Sequence, residues 1–314
     1  MLRGYVSQRS RPRSAGPGRD KQKGGTAVIA VLVLLLLWSL FTNIQVWLDI
    51  GGHRAPPAGS QTPLIHVKHP VPKLRNLVLV ACHAVFIGSD YSKAEDQDAW
   101  LLLDYQKVPG QAHSFIEHIQ EGISHAEHDP ASLLLFSGGQ TRKAAGPRSE
   151  AEGYWLVAEA AAWWGSHQVR ERAFTEEHAR DSFENLLFSL CRFYELTGHY
   201  PGELTVIGYD FKHERFTDLH RAALRWPDQH FKFVGTPALT AGAQEAEHKV
   251  LEAFRKDAFG CKGSLMSKKE DRDPFAVGPY LGNRCPDMEP LLNHCQSTIH
   301  SSAIYHEHLP WDQG

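Results

Sequence analysis

Short apolar runs alternate along the chain with longer stretches whose apolar residues recur at helical spacing. The apolar runs predict buried strands over residues 76–81, 132–136, 168–175, 204–208 and 231–235. The helical spacing and the flanking turn residues predict helices over residues 99–105, 114–125, 149–164, 179–196, 216–224 and 244–258. Because strands that alternate with helices form a parallel sheet covered by helices, the pattern predicts an α/β fold with a mostly parallel sheet.

The longest apolar run precedes these elements and covers residues 26–48. At about 1.5 Å per residue, a helix of this length would reach roughly 34 Å, enough to cross a hydrocarbon core of about 30 Å. Trp47 would then lie in the interfacial aromatic belt. We therefore expect an uncleaved signal-anchor, a transmembrane helix over residues 24–48 that makes the lipid bilayer a partner. A cleaved signal peptide is the alternative, which residues 55–59 leave open.

Basic residues are concentrated before this apolar run. Residues 1–23 contain seven lysines and arginines against one acid, Asp20, and are rich in Ser, Pro and Gly, which predicts a disordered arm. Since basic flanks stay in the cytosol, the pattern predicts a single-pass membrane protein with a cytosolic N-terminus. We expect the endomembrane system rather than the mitochondrial inner membrane, which an Arg-rich, acid-poor leader would also suit.

Composition and predicted elements divide the chain into five parts. They are a basic arm (1–23), a transmembrane helix (24–48), a Pro- and Gly-bearing linker (49–72), an α/β domain (73–258) and an irregular C-terminal extension packed on that domain (259–314). The net charge of −3 argues against nucleic acid as a partner.

The five cysteines are an odd number, so at least one has no partner within the chain. Cys82 and Cys191 fall in predicted strand and helix segments, where a buried thiol is expected. Cys261, Cys285 and Cys295 share the extension, where one disulfide could form on an oxidising side of a membrane. The spacing of cysteines and histidine in this tail is not a zinc pattern, so we expect no metal site.

The second predicted strand ends at a Ser-Gly-Gly turn that leads into the next helix. A Gly pair lets the backbone turn sharply, and amide N–H groups near a helix N-terminus attract anions. The arginines that follow could hold the charge of a phosphate. The alternative is a tight turn with solvated arginines. Candidate ligand-binding residues in this stretch are Ser137, Gly138, Gly139, Thr141, Arg142 and Arg148.

Further candidates follow the other predicted strands, because ligands bind beyond the carboxyl ends of parallel strands. His83 comes directly after the first strand and could act as a base or a ligand. Glu150 begins the helix after the Ser-Gly-Gly turn and is the first candidate for an acid/base or orienting carboxylate; a surface acid that complements the helix dipole is the alternative. The remaining candidates for ligand binding are Glu177, Asn185, Lys212 and Arg215.

Three short segments, in this order and spacing, resemble the YdcF/SanA/ElyC-like family (domain of unknown function 218) over roughly residues 75–240. The segments are Ser137-Gly138-Gly139, Ser149-Glu150-Ala151 and Ser182-Phe183-Glu184-Asn185. The runs Phe-Ser-Gly-Gly-Gln-Thr-Arg and Gly-Pro-Arg-Ser-Glu-Ala are most similar to the fungal or eukaryotic branch. The chain departs from the family in two places: Lys212 stands where the family has a histidine, and the first strand ends in Cys82-His83 instead of a Gly-rich turn.

This resemblance implies a Rossmann-like three-layer domain. Bacterial relatives are often membrane-anchored, S-adenosylmethionine binding is associated with one branch, and the family as a whole has no assigned activity. We therefore expect an enzyme that binds a phosphorylated or nucleotide-like small molecule, with S-adenosylmethionine as one candidate and the cofactor left unspecified. The alternative is a non-catalytic ligand-binding or scaffold protein of the membrane, which the change to Lys212 favours.

Overall fold

The computed structural model describes residues 21–51, 69–237, 239, 241–278, 280, 282–296 and 305–312. Residues 1–20 of the predicted basic arm and 52–68 of the predicted linker lie outside this set. The chain divides into two units, Met1–Val67 and Lys68–Gly314, which we describe separately.

The described part of the first unit is helix α1 (Lys21–Gly51), which includes the apolar run. Within the described residues, no helix combines the length and the apolar character that crossing a membrane requires. This finding contradicts the predicted transmembrane signal-anchor over 24–48, and with it the prediction of a single-pass membrane protein with a cytosolic N-terminus in the endomembrane system.

The second unit is built around a parallel sheet. Its strands are β1 (Asn76–Ala81), β2 (Val85–Phe86), β3 (Trp100–Leu101), β4 (Ser132–Ser137), β5 (Ala173–Glu176), β6 (Leu204–Tyr209) and β7 (Phe231–Thr236). Five of them form one parallel sheet in the order β5-β4-β1-β6-β7, and β2 pairs with β3 in an antiparallel pair. The predicted α/β fold with a mostly parallel sheet is confirmed.

Helices follow the strands of the sheet. They are α2 (Gln111–His128), α3 (Glu150–Ala160), α4 (His167–Arg170), α5 (Ser182–Thr197), α6 (Arg221–Ala223), α7 (Ala241–Lys256), α8 (Gly263–Asp271) and α9 (Glu289–Leu292). A π-helical turn, Arg215–His220, leads directly into α6. Such turns widen a helix locally and often occur at functional sites.

The core lies on both faces of the sheet, and β1 shows why. Leu77 and Leu79 pack with α5 on one face, whereas Val78 and Val80 pack with α2 on the other. Successive side chains of a strand point to opposite faces, so a strand buried on both sides must be apolar throughout. The result is a three-layer arrangement, with each fully buried Leu or Val contributing about 1.5–3 kcal/mol.

Three predicted elements differ from the structure. The predicted helix over 99–105 is instead the short strand β3, because Trp100 packs edge-on to Phe86 and donates its indole N–H to the Ala94 carbonyl. The predicted strand over 168–175 is shorter, since α4 occupies its first half. The predicted helix over 216–224 begins as the π-helical turn.

The C-terminal extension is more ordered than predicted, because it contains α8 and α9 and two disulfides. Cys191 in α5 bonds to Cys285, and Cys261 bonds to Cys295. The prediction of a free Cys191 thiol is therefore wrong, while Cys82 is free and buried as expected. A cross-link between α5 and the extension was not visible in the sequence because Cys191 and Cys285 lie 94 residues apart.

Candidate functional site

The strand order creates a crevice at the carboxyl ends of β1 and β6. The chain leaves β1 toward β4 on one side and later returns to place β6 on the other side, so β1 and β6 flank the point where the strand order reverses. Ligands of open α/β sheets bind at this point. A cavity of about 500 Å³ lies there, within the range of small-molecule sites.

Five of the predicted site residues line this cavity. They are His83, Glu150, Asn185, Lys212 and Arg215. His83 follows β1, Glu150 is the first residue of α3, and Asn185 lies in the first turn of α5. Lys212 and Arg215 both follow β6. The fold therefore brings four separate predicted loops together at one place.

The other predicted site residues do not line the cavity. They are Ser137, Gly138, Gly139, Thr141, Arg142, Arg148 and Glu177. Arg148 is exposed, and Arg142 and Glu177 are half-buried. The Arg142 guanidinium donates to the Thr141 carbonyl, and the Thr175 hydroxyl donates to the Glu177 carboxylate at 2.8 Å.

The glycine amides are not available to a ligand. Gly138 N–H donates to the Glu176 carbonyl at 3.0 Å, and Gly139 N–H donates to the Ala179 carbonyl at 2.8 Å. The expectation that these two amides bind an anion fails because the loop between β5 and α5 supplies both acceptors.

The Ser-Gly-Gly turn instead positions Glu150. A Cβ atom on Gly138 would lie 2.9 Å from the Glu150 Cβ and 3.1 Å from the Cys82 Cβ, so only glycine lets these chains approach. Glu150 N–H donates to the Gly139 carbonyl at 3.1 Å, and the Thr141 hydroxyl donates to the Glu150 carboxylate. The side chain of Glu150 is therefore held at the cavity wall by the turn that the sequence singled out.

A network of buried hydrogen bonds connects the turn to the end of β5 and to α5. Ser137 Oγ donates to Glu176 Oε2 at 2.5 Å, and Asn185 Nδ2 donates to both the carbonyl and the hydroxyl of Ser137 at 2.9 Å. The other oxygen of Glu176 accepts the amides of His178 and Ala179. Glu176 is almost fully buried, so the structural carboxylate of this loop is Glu176, whereas the sequence prediction chose Glu177.

The free energy of unfolding should fall as the pH rises from 5 to 8, because the buried Glu176 carboxyl then loses its proton. Burial raises the pKa of its carboxyl to about 7, and hydrogen bonds from Ser137, His178 and Ala179 only partly offset this effect. The protonated acid therefore stabilises the fold fully below about pH 4.5, and that contribution is lost as the pH rises to about 7. At about 1.4 kcal/mol per pH unit, the loss between pH 5 and pH 8 is roughly 2–3 kcal/mol.

Urea unfolding of the full chain at both pH values tests this. Glu176→Gln, which mimics the neutral acid, should remove this part of the pH dependence, and Glu177→Gln should retain it. Equal pH dependence in the wild type and Glu176→Gln would refute the assignment.

The cavity has an excess of positive charge. Arg215 forms a bidentate ion pair with Glu247 of α7. Asp181, the N-cap of α5, faces Lys269 at 3.5 Å, and both side chains are buried. These contacts neutralise two of the three carboxylates that line the cavity and leave Glu150 as the third.

Three lining cations remain: Lys212, Lys268 and Arg272. Among the described residues, none of the three has a carboxylate within 4.0 Å, and the Arg272 guanidinium donates to the Arg180 carbonyl. Burial and the charges of Arg272 and Arg215 lower the pKa of Lys268 to about 8. An unpartnered, partly desolvated cluster of cations is suited to bind an anion.

His83 lies beside this cluster. Its ring stacks on Tyr209 with centroids 4.8 Å apart, and its Nδ1 lies 3.2 Å from Lys212 Nζ. Burial and then the charge of Lys212 hold the pKa of His83 well below its usual range, so the imidazole is neutral. Its Nε2 is buried and has no hydrogen-bond partner among the described residues.

Lys268 and Arg272 escaped the sequence prediction because the extension was expected to be irregular. The two residues are four positions apart, which places them on one face of a helix, and this spacing was the available signal. Glu247 was also missing from the predicted site residues, since only the fold shows that it pairs with Arg215.

The fold and the cavity define a parallel α/β protein with an electropositive cavity at the carboxyl ends of its strands. No family model matches the chain, and no solved structure matches it either. A protein of Saccharomyces cerevisiae with the name "Uncharacterized protein YOR238W" is 26% identical over 262 residues, covering 66% of this chain and 86% of the yeast protein. The chain is therefore similar to a distant relative whose name states no activity.

Proposed function

We propose that this protein binds a phosphorylated or nucleotide-like small molecule in the cavity and acts on it as an enzyme. The observation that carries the proposal is the set of three cations without carboxylate partners in a cavity of about 500 Å³ at the reversal of the strand order. A phosphate group would supply the missing negative charge, and charge-assisted hydrogen bonds to it would offset the desolvation of Lys268 and Arg272.

Aromatic rings in the same cavity suit the rest of such a ligand. Tyr209 and Phe211 line it and stack on one another with ring centroids 5.3 Å apart and planes 13° from parallel. Tyr105 also lines the cavity and is exposed. A base or another flat ring could stack on these faces. The positive surroundings favour a phosphorylated ligand over S-adenosylmethionine, whose sulfonium group is a cation.

Two groups are suited to proton transfer. Glu150 has one carboxylate oxygen held by Thr141, and His83 is a neutral imidazole. A positioned carboxylate and a neutral histidine in one cavity are typical partners in general acid–base catalysis. We assign Glu150 the role of acid/base or orienting carboxylate and His83 the role of proton acceptor.

We further infer that the chain is a distant member of the YdcF/SanA/ElyC-like family. The support is that the motif residues Glu150, Asn185 and Arg215, which are far apart in the sequence, line one cavity. A non-catalytic binding protein is the second candidate function. It is favoured by the glycine amides, which are occupied by backbone carbonyls and offer no oxyanion hole, and by Lys212 at the family's histidine position.

Binding of a diphosphate should depend on α8. We expect ADP and inorganic pyrophosphate to raise the melting temperature of the full chain and S-adenosylmethionine to have a smaller effect. Lys268→Met should weaken ADP binding roughly 10- to 100-fold in calorimetry, because it removes a charged hydrogen-bond donor. Arg148→Met is the matched control: it removes a cation that lies outside the cavity and should leave the affinity unchanged.

Absence of stabilisation by every phosphorylated probe would refute the proposal, and so would equal losses in Lys268→Met and Arg148→Met. Turnover then separates the two candidate functions. Consumption of a bound compound by the wild type, lost in Glu150→Gln with binding retained, identifies an enzyme. Binding without any turnover identifies the non-catalytic alternative.

A further inference from the structure

Lys212 occupies an unusual position for a lysine. It ends the short turn that follows β6, it lines the cavity, and its Nζ lies 3.2 Å from His83 Nδ1. The same nitrogen lies 5.7 Å from the centre of the Tyr209 ring and 5.9 Å from that of Phe211. Among the described residues, no carboxylate lies within ion-pair distance of it.

The titratable groups that act on Lys212 and His83 come from several elements around the cavity. His83 follows β1, His118 lies on α2, and Glu150 begins α3; the surrounding cations are Arg215 of the π-helical turn, Lys268 of α8 and Arg272 directly after α8. Positive groups outnumber the single carboxylate. Burial, followed by the charges of Arg215, Lys268 and Arg272, holds the pKa of Lys212 well below its usual range. A lysine beside other cations loses its proton more readily than a solvated one, and the deprotonated amine has the free electron pair that a nucleophile needs.

We propose that Lys212 is a nucleophile that forms a Schiff base with the aldehyde or ketone group of a phosphorylated ligand. The inference rests on the proposed function, because Lys268 and Arg272 would hold the phosphate while Lys212 meets the carbonyl carbon. It narrows the substrate class to phosphorylated carbonyl compounds. It also gives the residue that replaces the family's histidine a chemical role.

The reaction balances without an oxidant or a reductant. The Nζ electron pair attacks the carbonyl carbon, a C–N bond forms, and the C–O π pair moves to the oxygen. His83 Nδ1 accepts a proton from the amine, and a proton is returned to the oxygen to give a carbinolamine. The nitrogen pair then forms C=N while the C–O bond breaks. The hydroxyl takes up a proton from the solvent and leaves as water, and the iminium nitrogen releases a proton to the solvent to give the imine. The sum is amine plus carbonyl giving imine plus water, with His83 restored to its neutral form.

Pyridoxal 5′-phosphate with sodium borohydride tests the inference, since the reagent is a phosphorylated aldehyde and reduction traps the imine on the lysine. The full chain is labelled at pH 6.5 and pH 8.5, and the modified lysines are identified by peptide mass spectrometry. We expect Lys212 to be labelled at least tenfold more than the exposed Lys143 and Lys262 at pH 6.5. Labelling of the exposed lysines should fall steeply from pH 8.5 to pH 6.5, whereas labelling of Lys212 should fall less.

Lys212→Arg keeps the charge but cannot form the imine, so it should lose the selective adduct while still binding pyrophosphate. Pyrophosphate should protect Lys212 in the wild type, and pyridoxal without the phosphate should label it at least tenfold less. Labelling of Lys212 no faster than Lys143, in a protein that pyrophosphate still stabilises, overturns the Schiff-base inference and leaves the proposed function standing. Equal labelling by both aldehydes with no protection overturns the phosphorylated substrate class.

Discussion

Replacing Arg215 with methionine should lower the free energy of unfolding by about 3–5 kcal/mol. Arg215 and Glu247 are both almost fully buried, and the guanidinium donates to both oxygens of the carboxylate. Removing one partner leaves the Glu247 charge buried without compensation, which is the costly way to break an ion pair. Burial lowers the pKa of Arg215 to about 10, so the guanidinium is charged at neutral pH.

The change should also affect the cavity. Arg215 donates from its third nitrogen to Ser182 Oγ at 3.1 Å, and that hydroxyl shares a hydrogen bond of 2.8 Å with His220 Nε2. One guanidinium therefore connects the π-helical turn, α5 and α7 around the site. We expect Arg215→Met to weaken ADP binding as well as stability.

Urea unfolding at pH 7 measures the effect, with two controls. Arg255→Met breaks the exposed pair with Glu214 and should have a much smaller effect, because water screens that pair. The double variant Arg215→Met, Glu247→Leu removes both charges and should recover most of the loss. If Arg215→Met and Arg255→Met were equally destabilised, the buried pair would not have the role that we assign to it.

Loss of the Cys191–Cys285 disulfide should cost about 4–5 kcal/mol. The bond closes a loop of 94 residues, and a long loop restricts the unfolded chain more than a short one in the chain-entropy description. The Cys261–Cys295 bond spans 34 residues and should contribute about 3–4 kcal/mol. Both cysteines of the longer loop are fully buried in one cluster with Phe193 and Leu196 of α5, so the bond also ties the extension to the helix that holds Asn185.

The comparison uses Cys191→Ala with Cys285→Ala against Cys261→Ala with Cys295→Ala, each unfolded in urea with and without reductant. The first pair should be less stable than the second, and each should lose the reductant sensitivity that belongs to its own bond. Cys82→Ala is the control for a buried cysteine outside both bonds and should keep the full reductant effect. A wild type whose stability is unchanged by reductant would contradict the prediction.

The local pattern of apolar and polar residues determined the main strands and the parallel sheet of this protein. The strands β1, β4 and β6 were predictable because a strand covered on both faces is largely apolar along its length, and such runs are visible in the sequence. Strands that alternate with helices implied a parallel sheet, and the rule that ligands lie beyond the carboxyl ends led to His83, Glu150, Asn185, Lys212 and Arg215. The Ser-Gly-Gly turn was correctly singled out, although it holds Glu150 instead of binding an anion.

Only the tertiary structure decided which charged side chains of the cavity have no partner of opposite charge. Asp181 and Glu247 neutralise Lys269 and Arg215 through contacts between segments that are far apart in the chain, and no local pattern records such pairs. The same is true of Cys191, whose partner lies in the extension, and of Lys268 and Arg272, which reach the cavity because α8 folds over it. Burial in three dimensions, which sets the pKa of Lys212, is what turns a residue at a predicted loop into a candidate nucleophile.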